Sequence, residues 1–284
     1  MSSMAARWPA SRVTDRRYDF TRQVVLVTGG GRGIGRGVAS GFLECGAIVV
    51  VCGRNRPDRP VTAGGGEAAF IAADVRDADQ VDPLIAAIES HFGRLDVVVN
   101  NAGGSPAVDP ATASPRFSES IVRLNLLAPL FVAQAAYRLM RQQPKGGAIV
   151  NIASIAATRP SPTTLAYGAA KAGLLNLTEA LAVAWAPQIR VNAIVAGTMH
   201  TEQTHMHYDE AGVRRMNAII PAGRMGEAVD IANACLFLAS PLADYINGAV
   251  LAVHGGGERP AFLDVAEFGR TNDNSKSDRQ GENQ

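Results

Sequence analysis

Residues 23–35 read QVVLVTGGGRGIG, and this stretch decides the fold. Val24 to Val27 form an unbroken apolar run, a glycine-rich turn follows, and a helical pattern runs from Ile34 to Glu44. A short run without polar alternation reads as a strand buried on both faces, as in a parallel sheet. The glycines do not fit G-x-G-x-x-G; their spacing is G-x-x-x-G-x-G, carried by Gly29, Gly33 and Gly35. Glycine lets the backbone turn tightly and approach a diphosphate, while a helix opening behind it offers unpaired N–H groups and a positive dipole end. Gly31, Arg32 and Ile34 complete this candidate cradle. Loops use glycine for many reasons, so the weight lies in its place between a strand and a helix.

Working outward, six more apolar runs follow: AIVVVC, AAFIAA, LDVVVN, GAIVNI, IRVNAI and AVLAV. Helical patterns separate them at Ala78 to His91, Arg116 to Gln142, Thr163 to Ala184 and Ala228 to Leu238. Alternation of this kind predicts an α/β fold, a single doubly wound Rossmann-type domain with a seven-stranded, mostly parallel sheet and helices on both faces. Between AIVVVC and AAFIAA, Pro57, Pro60 and Gly64 to Gly66 forbid the usual crossover helix, so a loop is expected there. The expected layout is a basic extension over 1–22, a catalytic domain over 23–257 with a substrate lid near 199–220, and an extension over 258–284 that is polar and disordered from about 269.

With 284 residues, of which 47% are hydrophobic, the chain can bury a sizeable core. A formal net charge of +1 argues against nucleic acid or a membrane surface as the main partner, leaving a small-molecule substrate. No unbroken apolar run approaches the ~20 residues of a bilayer span, so a soluble, cytoplasmic protein is expected. Cys45, Cys52 and Cys235 lack metal-ligand spacing and read as buried thiols in a reducing compartment, without a disulfide.

The ribose end of a dinucleotide site can be read at the end of AIVVVC. A carboxylate about 20 positions after the glycines favours NAD, an arginine NADP. Here Gly53, Arg54, Asn55 and Arg56 follow, with no carboxylate before Asp58. NADP(H) is therefore favoured, with NAD(H) possible; the alternative is that these arginines are merely solvated.

LAYGAAKAG, residues 165–173, sets Tyr167 and Lys171 one helical turn apart on one face. For an isolated Y-x-x-x-K the bland reading, a packed ring and a lysine reaching to water, usually wins. The ordered set decides otherwise: TGGGRGIG, Asp74 and Val75, NNAG at Asn100 to Gly103, Asn125 in RLNLLAPL, Ser154 in IVNIAS, YGAAK and RVNAIVAG. Over residues 22–257 the sequence resembles the short-chain dehydrogenases/reductases, with Ser154 thirteen residues before Tyr167 as that family's pattern requires.

The resemblance implies an NAD(P)(H)-dependent oxidoreductase acting on a ketone or secondary alcohol, with 3-oxoacyl thioesters and steroids among the family's substrates. It implies Tyr167 as proton donor or acceptor, Lys171 lowering the phenol pKa from its usual ~10 and holding the nicotinamide ribose, Ser154 holding the substrate oxygen, and Asn125 anchoring a water. It also implies Asp74 and Val75 at the adenine, Asn101, Ala102 and Gly103 as a backbone wall, Gly197 and Thr201 near the nicotinamide, and a homo-oligomer, dimer or tetramer. Two departures stand out: Ala196 where the family usually has proline, and His254 where it usually has aspartate.

Three of the five histidines, His200, His205 and His207, fall in the expected lid beside Glu202 and Asp209. A flexible loop is a poor metal site, so no metal is expected. The same lid holds Met199, Met206, Tyr208 and Met216, and Arg159, Arg214 and Arg215 read as surface charges unless they meet an anionic substrate. The alternative function is a non-catalytic dinucleotide sensor or scaffold on the same fold; such proteins typically lack the Tyr or the Lys, and both are present.

Overall fold

The computed structural model describes residues 18–202, 204 and 208–263. The basic N-terminal residues Arg7, Arg12, Arg16 and Arg17, His205, Met206 and His207 of the expected lid, and the polar tail from 269 lie outside the described residues.

Each apolar run becomes a strand of one sheet. The strands are β1 Val24–Thr28, β2 Ile48–Gly53, β3 Ala69–Ala72, β4 Val97–Asn100, β5 Gly147–Ser154, β6 Ile189–Ala196 and β7 Val250–Val253. Their order is β7-β6-β5-β4-β1-β2-β3, and all pairs are parallel, as the alternation of strands and helices predicts. Every residue of β1 and β4 is buried, whereas the edge strands β3 and β7 hold only part-buried and exposed residues. Side chains alternate across the pleat: Val25 and Val27 of β1 enter one core layer, Val24 and Leu26 the other.

The helices are α1 Gly33–Glu44, α2 Ala78–Phe92, α3 Pro115–Val122, α4 Ala128–Met140, α5 Leu165–Trp185, α6 Glu210–Ile219 and α7 Ala228–Ala239. On one face Val38 and Phe42 of α1 pack with Ile231, Cys235 and Leu238 of α7; on the other, Leu84 and Ile88 of α2 pack with Val132, Ala136 and Met140 of α4. The α1–α7 approach depends on Gly37 and Gly41, one turn apart. A Cβ on Gly37 would stand 2.4 Å from that of Ala228, and one on Gly41 3.2 Å from that of Ala232.

Several features depart from expectation. The segment expected as one helix over 116–142 is α3 and α4 joined by a π turn, Arg123–Leu127, with Asn125 inside it. This stretch, Pro115–Met140, is long and apolar enough by composition to cross a bilayer, but Val132, Ala136 and Met140 of α4 lie in the sheet-covering core. Within the β2–β3 loop a small antiparallel ribbon pairs Thr62–Ala63 with Gly66–Glu67. Gly64 and Gly65, both at positive φ, make the tight turn this requires. In the expected lid, α6 is capped by Asp209, whose carboxylate accepts from the Gly212 N–H at 2.6 Å. The packed chain also extends past both expected boundaries: Phe20 is buried edge-on against Phe42, and Arg259 N–H donates to the Ile219 carbonyl at 2.7 Å.

Candidate active site

In an open parallel sheet, ligands bind at the carboxyl ends of the strands where the strand order reverses. That point lies between β1 and β4. Thr28 closes β1, and its hydroxyl accepts from the Asn101 and Ala102 N–H groups, each at 3.0 Å. The Asn101 side chain answers with bonds to the Thr28 carbonyl at 2.9 Å and the Gly29 carbonyl at 3.3 Å. The two loops flanking the crevice are thereby locked together. Asn101 was expected to line the cofactor with its backbone; its side-chain amide holds the glycine turn.

The turn itself is built for close approach. Gly29 and Gly33 take left-handed φ values of 63° and 53°. A Cβ at Gly35 would lie 2.5 Å from the Gly29 carbonyl oxygen, and one at Gly30 2.5 Å from a Val51 methyl. Arg32 is the N-cap of α1 in extended backbone, offers no side-chain cap, and the first turn of α1 holds no acidic residue. With its own anions absent, this N-terminus presents N–H groups to an external one, and the Gly33 N–H donates to the Glu202 carboxylate at 2.7 Å. The anion received by this turn in the structure is thus the Glu202 carboxylate.

Around the ribose end, Arg36 of α1 donates to the carbonyls of Gly31, Arg59 and Pro60 at 3.4, 2.9 and 2.7 Å. This brace straps the loop after β2 onto the glycine turn, where Pro57 would lie 3.2 Å from a Cβ at Gly31. No signal in the sequence marked Arg36, because its acceptors are carbonyls brought near only by folding. Arg56 stacks over Phe70, 5.2 Å from the ring centre. Asp74 forms a two-pronged pair with Arg76, its oxygens 2.9 and 2.5 Å from Nε and Nη2, and also feels Arg54. The Arg76 guanidinium holds the Asp74 carboxyl below its ordinary range. Val75 beside it is buried.

Asn125, Ser154, Tyr167 and Lys171 converge next to this crevice. Ser154 ends β5, where its hydroxyl accepts from the Ala156 N–H at 3.2 Å and lies near enough to the Tyr167 phenol of α5 to act on its titration. Lys171, 2% exposed, sits over the Tyr167 ring with Nζ 5.8 Å from the ring centre and donates to the Ile152 carbonyl at 2.7 Å. A Cβ on Gly103 would fall 2.7 Å from Asn125 Oδ1 and 3.2 Å from Lys171 Nζ, so only glycine lets these two polar groups share that corner. Asn125, fully buried, accepts from the Gly104 N–H and donates to the Gly104 and Ile121 carbonyls, each at 2.9 Å. The π turn places it; π turns of this kind often mark functional positions. Beneath the site a buried chain of bonds runs from Asn100 to Asn151 and on to Thr178, both at 2.9 Å, tying β4, β5 and α5 together.

The electrostatics correct one expectation. Burial pushes the Tyr167 phenol above its ordinary value, the Ser154 hydroxyl only partly opposing it. Burial lowers the Lys171 ammonium to about 8. With no further charge in the site, the phenol therefore keeps its proton, the state a proton donor needs.

Gly197 follows β6, and its N–H donates to the Val253 carbonyl at 3.0 Å; a Cβ there would meet His254 Cα at 2.7 Å. The two departures from the family pattern, Ala196 and His254, are thus neighbours. Thr201 lies across the glycine turn, its methyl 3.8 Å from a Cβ at Gly33. Arg159 pairs with Glu258 at 2.5 Å, whereas Arg214 is an exposed surface charge, loosely paired with Glu210 at 3.7 Å. His200 pairs through its backbone with Glu227 rather than joining a cluster, and among the described residues no group of His, Cys, Asp and Glu could hold a metal. The three cysteines are free, and burial pushes the Cys52 thiol up to about 12.

A parallel α/β sheet with a glycine cradle at its switch point and a Ser–Tyr–Lys cluster at the neighbouring strand end defines a class, the dinucleotide-fold oxidoreductases. Residues 29–258 match the family model described as "Enoyl-(Acyl carrier protein) reductase". L-rhamnose 1-dehydrogenase (NAD(P)(+)) of Azotobacter vinelandii is 38% identical, the match covering 82% of this chain and 96% of that one. A 3alpha-hydroxysteroid dehydrogenase of Mediterraneibacter gnavus is 36% identical over 82% of this chain and 96% of its own. The crystal structure of a putative short-chain alcohol dehydrogenase from Sinorhizobium meliloti superposes with a TM-score of 0.79 at 38% identity, covering 84% of this chain and 97% of that one. The chain belongs to the short-chain dehydrogenase/reductase family and is an oxidoreductase of that family, acting on CH–OH donors.

Proposed function

We propose that the protein moves hydride between NADP(H) and a ketone or secondary alcohol, with Tyr167 as the proton-transfer group. The observation that carries this is the convergence of the Ser154 hydroxyl on the Tyr167 phenol, with the Lys171 ammonium held over the same ring 5.8 Å from its centre. The nicotinamide, when bound, supplies the hydride donor or acceptor and, oxidised, a positive charge. Tyr167 gives its proton to the carbonyl oxygen as that oxygen gains charge, or takes it in alcohol oxidation. Ser154 holds the same oxygen with its hydroxyl. Lys171 holds the nicotinamide ribose, and its charge adds to the cofactor's in favouring phenolate. The Asn125 side chain is spent on the backbone except for the second lone pair of Oδ1, which is what remains to hold a water beside Lys171.

Preference for NADP(H) is supported by Arg54 and Arg32, by the lack of a carboxylate before Asp58, and by the Arg36 brace on the loop that carries Arg54. Asp74 and Val75 serve the adenine, the backbone of Asn101, Ala102 and Gly103 forms the wall, and Gly197 and Thr201 serve the nicotinamide end. Relatives act on a sugar and on a steroid, so the substrate class proposed is a secondary alcohol or hemiacetal carbon bearing hydrogen, with a 3-oxoacyl thioester or steroid among the candidates. Exposed Leu165 and Val183 of α5 support a homo-oligomer, and the three free thiols a reducing compartment such as the cytoplasm. The test is absorbance at the nicotinamide band with NADPH or NADP and a panel of sugars, steroids and 3-oxoacyl thioesters. Turnover with any of these supports the reading; tight cofactor binding without turnover across the panel favours a sensor.

A further inference from the structure

We infer that Glu202 is a built-in competitor of the cofactor diphosphate and sets cofactor affinity from within the site. The inference rests on the dinucleotide reading above. Three observations meet at one point. The Glu202 carboxylate accepts from the Gly33 N–H at 2.7 Å, although 169 residues separate the two. Helix α1 has no anion of its own in its first turn and no side-chain cap on Arg32, so this remote carboxylate is the group that caps it. The backbone presenting Glu202 is tied down: the Thr201 N–H donates to Thr204 Oγ1 at 2.8 Å, the Thr204 N–H returns to the Thr201 carbonyl at 2.9 Å, and Thr204 is buried.

A diphosphate entering this turn seeks the same N–H groups and carries negative charge of its own. Glu202 must give up a charge-assisted hydrogen bond at the positive end of α1 and withdraw from the incoming phosphates. Both costs fall on cofactor binding and are returned on release. The residue thus favours departure of spent cofactor, a step that limits turnover in many enzymes. Because only the phosphates compete, the penalty belongs to them and not to the adenosine.

Glu202→Gln keeps the shape of the side chain and removes its charge. Dissociation constants for adenosine, ADP and NADPH are measured on the wild-type chain and the variant by calorimetry. ADP and NADPH are expected to bind the variant about tenfold more tightly, the scale of an anion at a helix N-terminus together with like-charge repulsion, and adenosine equally well. Unchanged or weaker binding of ADP and NADPH to the variant overturns the inference. So does an equal change for adenosine and ADP, which would mark a structural role. If neither protein binds NADPH, the dinucleotide reading itself falls and this inference with it; equal binding by both removes the inference alone.

Discussion

Lys171 Nζ donates to the Ile152 carbonyl at 2.7 Å, so the ammonium of α5 is moored to β5, the strand that ends in Ser154. The bond fixes the amine over the Tyr167 ring and forces a charge into a nearly dry place. Function here is set against stability, and the conflict can be measured.

Burial lowers Lys171 to about 8 from an ordinary value of 10.5. Between those values the unfolded chain binds more protons than the folded one, so this residue makes stability rise with pH through that window; below about 8 the full cost is present. Lys171→Met removes the cost but orphans the Ile152 carbonyl, so its effect at pH 7 has two opposed parts. Its pH dependence has one sign. The stability of the variant relative to wild type should fall by on the order of 2–3 kcal/mol between pH 7.5 and 10.5 in urea denaturation series. A flat difference would show that the ammonium is not desolvated.

At Gly35, a methyl group would press to 2.5 Å from the Gly29 carbonyl oxygen, which is backbone and cannot turn aside. Gly35→Ala should cost about 1–3 kcal/mol of stability and weaken NADPH binding more than about tenfold, because the turn must open to admit it. Thermal unfolding and fluorescence titration check the two effects.

Thr178 is wholly buried, accepting from Asn151 at 2.9 Å and donating to the Leu174 carbonyl at 2.7 Å. Thr178→Val matches its shape and leaves the Asn151 amide unpaired, for an expected loss of about 1–3 kcal/mol. Chemical denaturation reads it directly, and a loss below a few tenths would mean that the buried chain of bonds is not continuous.

Arg36 spends its guanidinium on three carbonyls, holding the loop that carries Arg54. Arg36→Met should raise KM for NADP(H) about fivefold while moving KM for NAD(H) and kcat little, since a loosened loop misplaces only the group that meets the 2′-phosphate. Steady-state kinetics with both cofactors test this, and an equal change for both would assign Arg36 to the fold alone.

The seven strands were legible because each is a run apolar on both faces, and the fold class followed from their alternation with helices. Positions of the site residues were legible through the ordered motifs, which brought Ser154, Tyr167 and Lys171 to one corner. What escaped depends on contacts remote in sequence. Arg36 and Glu202 find their partners across 24 and 169 residues, and neither type at either place is marked by periodicity. The π turn at Asn125 keeps a helical pattern of apolar residues, so it reads as ordinary helix. Helix α6 hid behind its short, polar composition, although Asp209 three residues before Gly212 is a recognisable cap. The upward shift of the Tyr167 phenol in the free chain was not legible, because the motif shows the charged neighbour and not the burial.

Tyr167→Phe tests the central claim most directly. NADPH affinity by fluorescence titration and the single-turnover rate on whichever substrate the panel yields should be measured for both proteins. The account predicts unchanged affinity, within about twofold, and a rate reduced about a hundredfold or more. A variant that binds NADPH as before and turns over at the wild-type rate would contradict it, because the proton would then come from another group.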